Sequence, residues 1–213
     1  RDTRCLVLIG SHIGENMHNG QVQEMSDAID KGAVIITVDP RYSTAASKSK
    51  FWLPIKPSTD IALLLSWIRE IINNNWYDRE YVEKYTYGFE ELKAYVQPFT
   101  AEWAYGITTI KPDQIKESAR EMADAAPAVI IHPGRHVTWY GDDTQRLRAV
   151  AILNALLGSW GRRGGYYKPE KLDVPEYPHP PFPPVTRNWR MAMGGKYALA
   201  DLALANGVCD ATI

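Results

Sequence analysis

The sequence predicts an α/β fold: a mainly parallel sheet flanked by helices, followed by an extended, proline-rich C-terminal arm. Three observations carry this. Short, continuously apolar runs recur at Cys5-Leu6-Val7-Leu8-Ile9, Ala33-Val34-Ile35-Ile36-Thr37-Val38 and Ala128-Val129-Ile130-Ile131. Such runs suit strands buried on both faces. Between them, apolar residues fall at helical spacing. Seven prolines then crowd the sixteen residues 169–184, which makes that stretch extended and helix-free.

Each element follows in order. The first strand ends in Gly10-Ser11, and a glycine-containing loop leads to Val22, Met25, Ala28 and Ile29 at helical spacing. Gly32 stands where a helix C-terminal glycine belongs. The second strand, 33–38, is β-branched at its centre. Strand, loop, helix and strand make a right-handed, Rossmann-like βαβ unit. Residues 51–55 form a short strand that Pro54 restricts to an edge or an irregular segment. Ser58-Thr59-Asp60 is a capping cluster ahead of a helix over 61–72, which Asn73-Asn74-Asn75 ends. Asp78 starts a short helix, and another runs over 90–96. Pro112 is a first-turn proline for a helix to about residue 125. The strand over 128–131 leads into His132-Pro133-Gly134, and a helix over 144–157 closes on Gly158. Trp67, Trp76, Tyr77 and Tyr81 read as core. The domain division is 1–165 for the α/β region and 166–213 for the arm and the start of a following segment.

The 213 residues are 45% hydrophobic and 23% charged, an ordinary globular composition. A net charge of −1 supplies no basic field for a polyanion, so general nucleic-acid binding is not expected. The run Ile61-Ala62-Leu63-Leu64-Leu65 is far shorter than the roughly 18 apolar residues of a membrane helix. Cys5 and Cys209 cannot by themselves make a four-thiolate cluster, a structural zinc site or a disulfide framework. The chain opens at Arg1, directly before a strand, which reads as a fragment of a longer polypeptide. Any signal peptide would then lie upstream.

In an open α/β sheet, ligands bind at the carboxyl ends of the strands. Gly10, Ser11, Glu15 and Asn16 occupy the first such loop, either an ordinary turn or a backbone that approaches a phosphate. Asp39 and Arg41 follow the second strand. They make either a proline turn or a ribose contact. Ser58 and Asp60 either cap a helix or present a carboxylate to a guanine N–H edge. Arg135 and His136 follow the last strand and offer a planar cation and a proton carrier, or else a solvated loop. Trp160-Gly161-Arg162-Arg163-Gly164-Gly165 is a basic, glycine-rich turn suited to phosphate or to solvent.

Taken together, these blocks resemble the molybdopterin oxidoreductases of the dimethyl sulfoxide reductase superfamily. The resemblance rests on Leu8-Ile9-Gly10-Ser11, then Lys31-Gly32-Ala33-Val34-Ile35-Ile36-Thr37-Val38-Asp39-Pro40-Arg41, then Thr44-Ala45-Ala46. It continues through Trp52-Leu53-Pro54-Ile55-Lys56-Pro57-Ser58-Thr59-Asp60, Asn74-Asn75-Trp76-Tyr77-Asp78-Arg79-Glu80-Tyr81-Val82 and Ile152-Leu153-Asn154-Ala155-Leu156-Leu157-Gly158. Within the family, His132-Pro133-Gly134-Arg135-His136 and Trp139-Tyr140-Gly141-Asp142-Asp143-Thr144-Gln145-Arg146 are similar to polysulfide and thiosulfate reductase catalytic subunits. Tetrathionate and arsenate reductases are competing relatives.

The resemblance implies molybdenum or tungsten held by two molybdopterin guanine dinucleotides. Gly10, Ser11, Glu15 and Asn16 would line the phosphates and ribose of one of them. Asp39 and Arg41 would meet its ribose and guanine end, and Asp60 would accept from guanine N1 and N2. Ser58 stands where the family usually has glycine. Arg135 matches an arginine that faces substrate in the sulfur-reducing branch, with His136 beside it. No metal ligand is assigned within the chain; the ligand and the iron–sulfur cysteines would lie upstream. The implied whole is an oxidoreductase reducing polysulfide, thiosulfate or tetrathionate, with this chain inactive alone. Its partners would be an iron–sulfur electron-transfer subunit and a membrane-anchor subunit. Its place would be the periplasm or the outer face of the cell membrane. The alternatives are a hydratase, arsenate reductase or formate dehydrogenase of the same superfamily, or a nucleotide-binding module without catalysis.

Overall fold

A computed structural model describes residues 2–11, 13–15, 19–134 and 143–167. All of them belong to one compact unit, Arg1–Pro169. The proline-rich arm expected from the sequence lies outside the described residues.

Four parallel strands form the sheet: β1 (Cys5–Ile9), β2 (Val34–Val38), β3 (Phe51–Leu53) and β4 (Val129–His132). Their spatial order is β3-β2-β1-β4. Cys5 pairs with Val34 on one side and with Val129 on the other, which makes β1 central. β3 pairs only with β2 among the described strands, an edge position, and it stops at Leu53 just before Pro54, one of the two outcomes expected there.

Strand periodicity divides the apolar residues between two layers. Cys5, Val7, Ile9, Ile36, Val38, Leu53, Val129 and Ile131 enter the larger core. There they meet α2 (Asp60–Asn73), α6 (Pro112–Ala125) and α7 (Asp143–Leu156). Trp67 is fully buried at its centre, its indole N–H donating to Ser118 Oγ at 2.9 Å. Leu8 and Ile35 face the other way, with Leu6 partly buried beside them, onto Met25, Val22 and Ile29 of α1 (Asn19–Asp30). Gly32, at φ +87°, closes α1 as its position suggested.

The region between β3 and β4 holds more helix than expected. Beyond α3 (Arg79–Tyr85) and α4 (Phe89–Tyr95), a further helix α5 spans Ala101–Thr108. Thr100 starts it by accepting from Trp103 N through its hydroxyl. Gly106 and the β-branched residues 107–109 weaken the local helix signal, and packing of α5 against α2 and α6 supplies the missing stability. The capping cluster before α2 also differs from expectation. Thr59 is the N-cap residue, but its hydroxyl donates backward to Lys56 O at 2.6 Å instead of accepting from the helix. Asp78 does cap α3, accepting from Tyr81 N at 2.9 Å. Of the four aromatics read as core, Trp67 alone is fully buried. Trp76 and Tyr77 pack against the core from its margin. Tyr81 is half-buried; its ring lies under the Arg162 guanidinium and its hydroxyl donates to Trp160 O.

Candidate functional site

The sheet order places a topological switch between β1 and β4. From β1 the chain winds outward to β2 and β3, then returns through the helices to β4 on the opposite side. The carboxyl ends of β1 and β4 therefore flank the crevice where an open α/β sheet receives its ligand. Gly10 and Ser11 leave β1 there, and Pro133 and Gly134 leave β4. Gly10 and Gly134 both have left-handed backbones, with φ +65° and +69°. The Gly134 N–H donates to His132 Nδ1 at 3.1 Å, which requires that ring nitrogen to be unprotonated.

Asp60 opens α2 at the same end of the sheet, its side chain 15% exposed. Its Oδ2 lies 3.9 Å from Nε of Arg146, a residue on the buried face of α7. Arg146 donates through Nη1 to Pro133 O at 2.6 Å and through Nη2 to Ile9 O at 3.1 Å. One guanidinium thus touches the end of β1, the loop after β4 and the start of α2. Asn154 secures the same helix to β4, donating to Val150 O at 3.0 Å and accepting from Ile131 N at 3.4 Å. Ser58, two residues before Asp60, has φ +65°. It keeps the left-handed backbone that glycine would adopt at this place without steric cost.

A second group gathers at the ends of β1 and β2. Glu15 accepts from Arg41 Nη2 at 3.0 Å and from Thr44 N at 3.1 Å, joining the two loops. Asp39 accepts from Arg41 N at 2.8 Å and lies 3.9 Å from its Nε. The Glu15 hydrogen bond and charge, with Asp39 next, hold the Arg41 guanidinium above its ordinary pKa. Arg41 is largely exposed, whereas the Asp39 side chain is 12% exposed. Trp52 fixes the Asp39 backbone, its indole N–H donating to Asp39 O at 2.9 Å.

The expected residues thus fall into two neighbourhoods: Gly10, Ser11, Ser58 and Asp60 by the crevice, and Glu15, Asp39 and Arg41 beside β2. Asn16, Arg135 and His136 lie outside the described residues. Among those described, no group of three or more His, Cys, Asp or Glu side chains is placed to hold a metal ion. The basic turn at 160–165 carries Arg162, which is paired with Asp78 at 2.5 Å. Arg146 is the residue the sequence reading passed over. Its signal was present: Arg146, Ala149, Val150, Leu153 and Leu157 share one helical stripe, and an arginine on an apolar stripe needs polar partners.

The sequence model of the molybdopterin oxidoreductase family matches residues 1–199. The chain is 36% identical over 173 residues to the thiosulfate reductase molybdopterin-containing subunit PhsA of Salmonella typhimurium, covering 81% of this chain and 23% of that protein. It is 34% identical over 165 residues to acetylene hydratase of Syntrophotalea acetylenica, covering 75% and 22%. Among solved structures, acetylene hydratase from Pelobacter acetylenicus is similar with a TM-score of 0.67 and 34% identity, over 74% of this chain and 22% of that one. The chain spans under a quarter of the length of these relatives.

Proposed function

Because the chain belongs to the molybdopterin oxidoreductase family, we propose that it is the nucleotide-holding region of a larger oxidoreductase subunit that reduces a sulfur compound such as polysulfide, thiosulfate or tetrathionate. The family implies a molybdopterin-type cofactor with molybdenum or tungsten. We assign its guanine dinucleotide form to this chain. The observation that carries the assignment is Asp60: a nearly buried carboxylate at the β1–β4 switch point, backed by a cation.

That acceptor fits the cofactor's nucleotide end. A carboxylate matches the N1–H and N2–H pair of guanine, and a water-poor setting makes the match selective. Gly10 and Ser58 have left-handed backbones, a conformation that suits main-chain groups turned toward a ligand. Gly10, Ser11 and Asn16 are the residues we assign to the phosphates. Asp39 faces ribose and Arg41 the guanine end, with Glu15 holding Arg41 in place. When bound, the metal–pterin group supplies the two-electron chemistry. Arg135 holds the anionic substrate through its planar fork, and His136 moves a proton beside it. An iron–sulfur subunit delivers electrons, a membrane-anchor subunit holds the assembly, and the enzyme works in the periplasm or at the outer face of the membrane. A hydratase is the second reading, since one similar solved structure is an acetylene hydratase.

The test uses the full-length enzyme. Asp60→Ala should lower bound guanine nucleotide and molybdenum or tungsten together, by roughly tenfold to a hundredfold in affinity, the worth of a hydrogen bond to a charged group. Unchanged nucleotide content would remove Asp60 from the site. Arg135→Lys should lower kcat/KM for thiosulfate or polysulfide at full metal loading. Hydration of acetylene with no reduction of sulfur substrates would replace the reductase reading with the second one.

A further inference from the structure

We infer that Arg146 is a positioning residue for cofactor binding: a buried cation whose own place is set by two backbone carbonyls and which fixes the Asp60 carboxylate toward the crevice. The inference rests on the reading of Asp60 as the guanine acceptor.

Arg146 is 5% exposed. A buried guanidinium is costly unless its donors are used. Here two of its nitrogens are spent on carbonyls that belong to different strands, Ile9 O at the end of β1 and Pro133 O after β4. Both carbonyls lie at the carboxyl edge of the sheet, just past or at the last residue of each strand. The remaining nitrogen, Nε, is the one that lies 3.9 Å from Asp60 Oδ2. The plane of the guanidinium therefore transmits the position of the two strand ends to the first residue of α2. Side-chain capping does not do this: Thr59, the N-cap residue, turns its hydroxyl away from the helix. The cation meets the carboxylate at ion-pair distance, beyond hydrogen-bond reach, so it orients Asp60 by charge.

Arginine is required on geometric grounds. A planar fork reaches two carbonyls and a carboxylate at once, whereas a lysine ammonium is a single point on a flexible stem. Glutamine keeps a donor for one carbonyl and brings no charge to Asp60.

The experiment measures guanine nucleotide per polypeptide in the purified full-length enzyme, after acid release, for five proteins: wild type, Arg146→Lys, Arg146→Gln, Asp60→Ala and the Asp60→Ala/Arg146→Gln double variant. Arg146→Gln should lose nucleotide to about the level of Asp60→Ala, and Arg146→Lys should retain several times more than Arg146→Gln. The double variant should lose no more than Asp60→Ala alone, because a residue that acts through Asp60 has nothing left to position. Multiplied losses in the double variant would overturn the inference in favour of general destabilisation. Wild-type nucleotide in Arg146→Gln would overturn it as well. If Arg146→Gln fails to accumulate, Arg146→Lys alone and combined with Asp60→Ala gives the same comparison. Failure of the underlying reading looks different: Asp60→Ala itself would retain its nucleotide.

Discussion

Gly134 and Gly10 meet backbone to backbone: a side-chain carbon on Gly134 would lie 2.4 Å from the carbonyl oxygen of Gly10 and 2.6 Å from that of Ile9. The contact joins the segments that leave the paired strands β1 and β4. Neither neighbour is a flexible side chain that could swing aside, and φ at Gly134 is +69°. Gly134→Ala should therefore lower the stability of the protein by about 1–3 kcal/mol, the range of overpacking in a close-packed region. The same shift should part the two loops and reduce cofactor content. Thermal unfolding of the variant against wild type checks the first effect, and an unchanged midpoint would refute the contact.

Ser58 holds a left-handed backbone with a side chain that resists it. Ser58→Gly should raise stability by about 0.5–1 kcal/mol, because the steric cost of a Cβ in that region exceeds the entropy glycine gains in the unfolded chain. Ser58→Val should do the opposite, since β-branching makes the same φ worse. Denaturant midpoints for the pair decide it. Loss of stability in the glycine variant would mean that the Ser58 side chain has a holding role of its own.

Cys5 lies fully buried in β1, and burial, with the charge of Glu121 second, pushes its thiol up to about 12. The folded state thus keeps the proton that an unfolded thiol releases near its usual value. The stabilising contribution is complete below that value and is lost as pH rises toward about 12. Native protein at pH 8 should leave Cys5 unmodified by iodoacetamide while unfolded protein reacts, as peptide mapping would show. Cys5→Ala should flatten the alkaline limb of the stability profile. Ready alkylation of Cys5 in the native protein would contradict its placement.

Much of the fold was legible in local pattern. Three apolar runs suited strands covered on both faces, and the structure has β1, β2 and β4 there. Pro112 and Gly32 sat where helix ends need a missing N–H and a left-handed φ, and α6 and α1 begin and end there. Ser58 likewise carried its backbone conformation in its place within a family pattern. The helix α5 was not legible, because its own residues are weak helix formers and its stability comes from α2 and α6.

By itself, the sequence determined the strands and every α-helix but α5 among the described elements, which residues stand at strand ends, and the family those residues mark. Tertiary structure alone decided that β1 lies between β2 and β4. An apolar strand carries no record of its neighbours, and parallel pairing is set by long crossovers and by the packing of the helices they contain. That choice brings Ile9 beside Pro133, although more than 120 residues separate them in sequence, and so creates the two carbonyls that receive Arg146. It also sets the face on which Val7 and Ile9, rather than Leu6 and Leu8, meet the helices that carry Asp60 and Arg146. The carboxylate was visible as a letter at a strand-to-helix junction; the cation behind it came from a distant helix. Only the folded sheet could show that the two stand 3.9 Å apart.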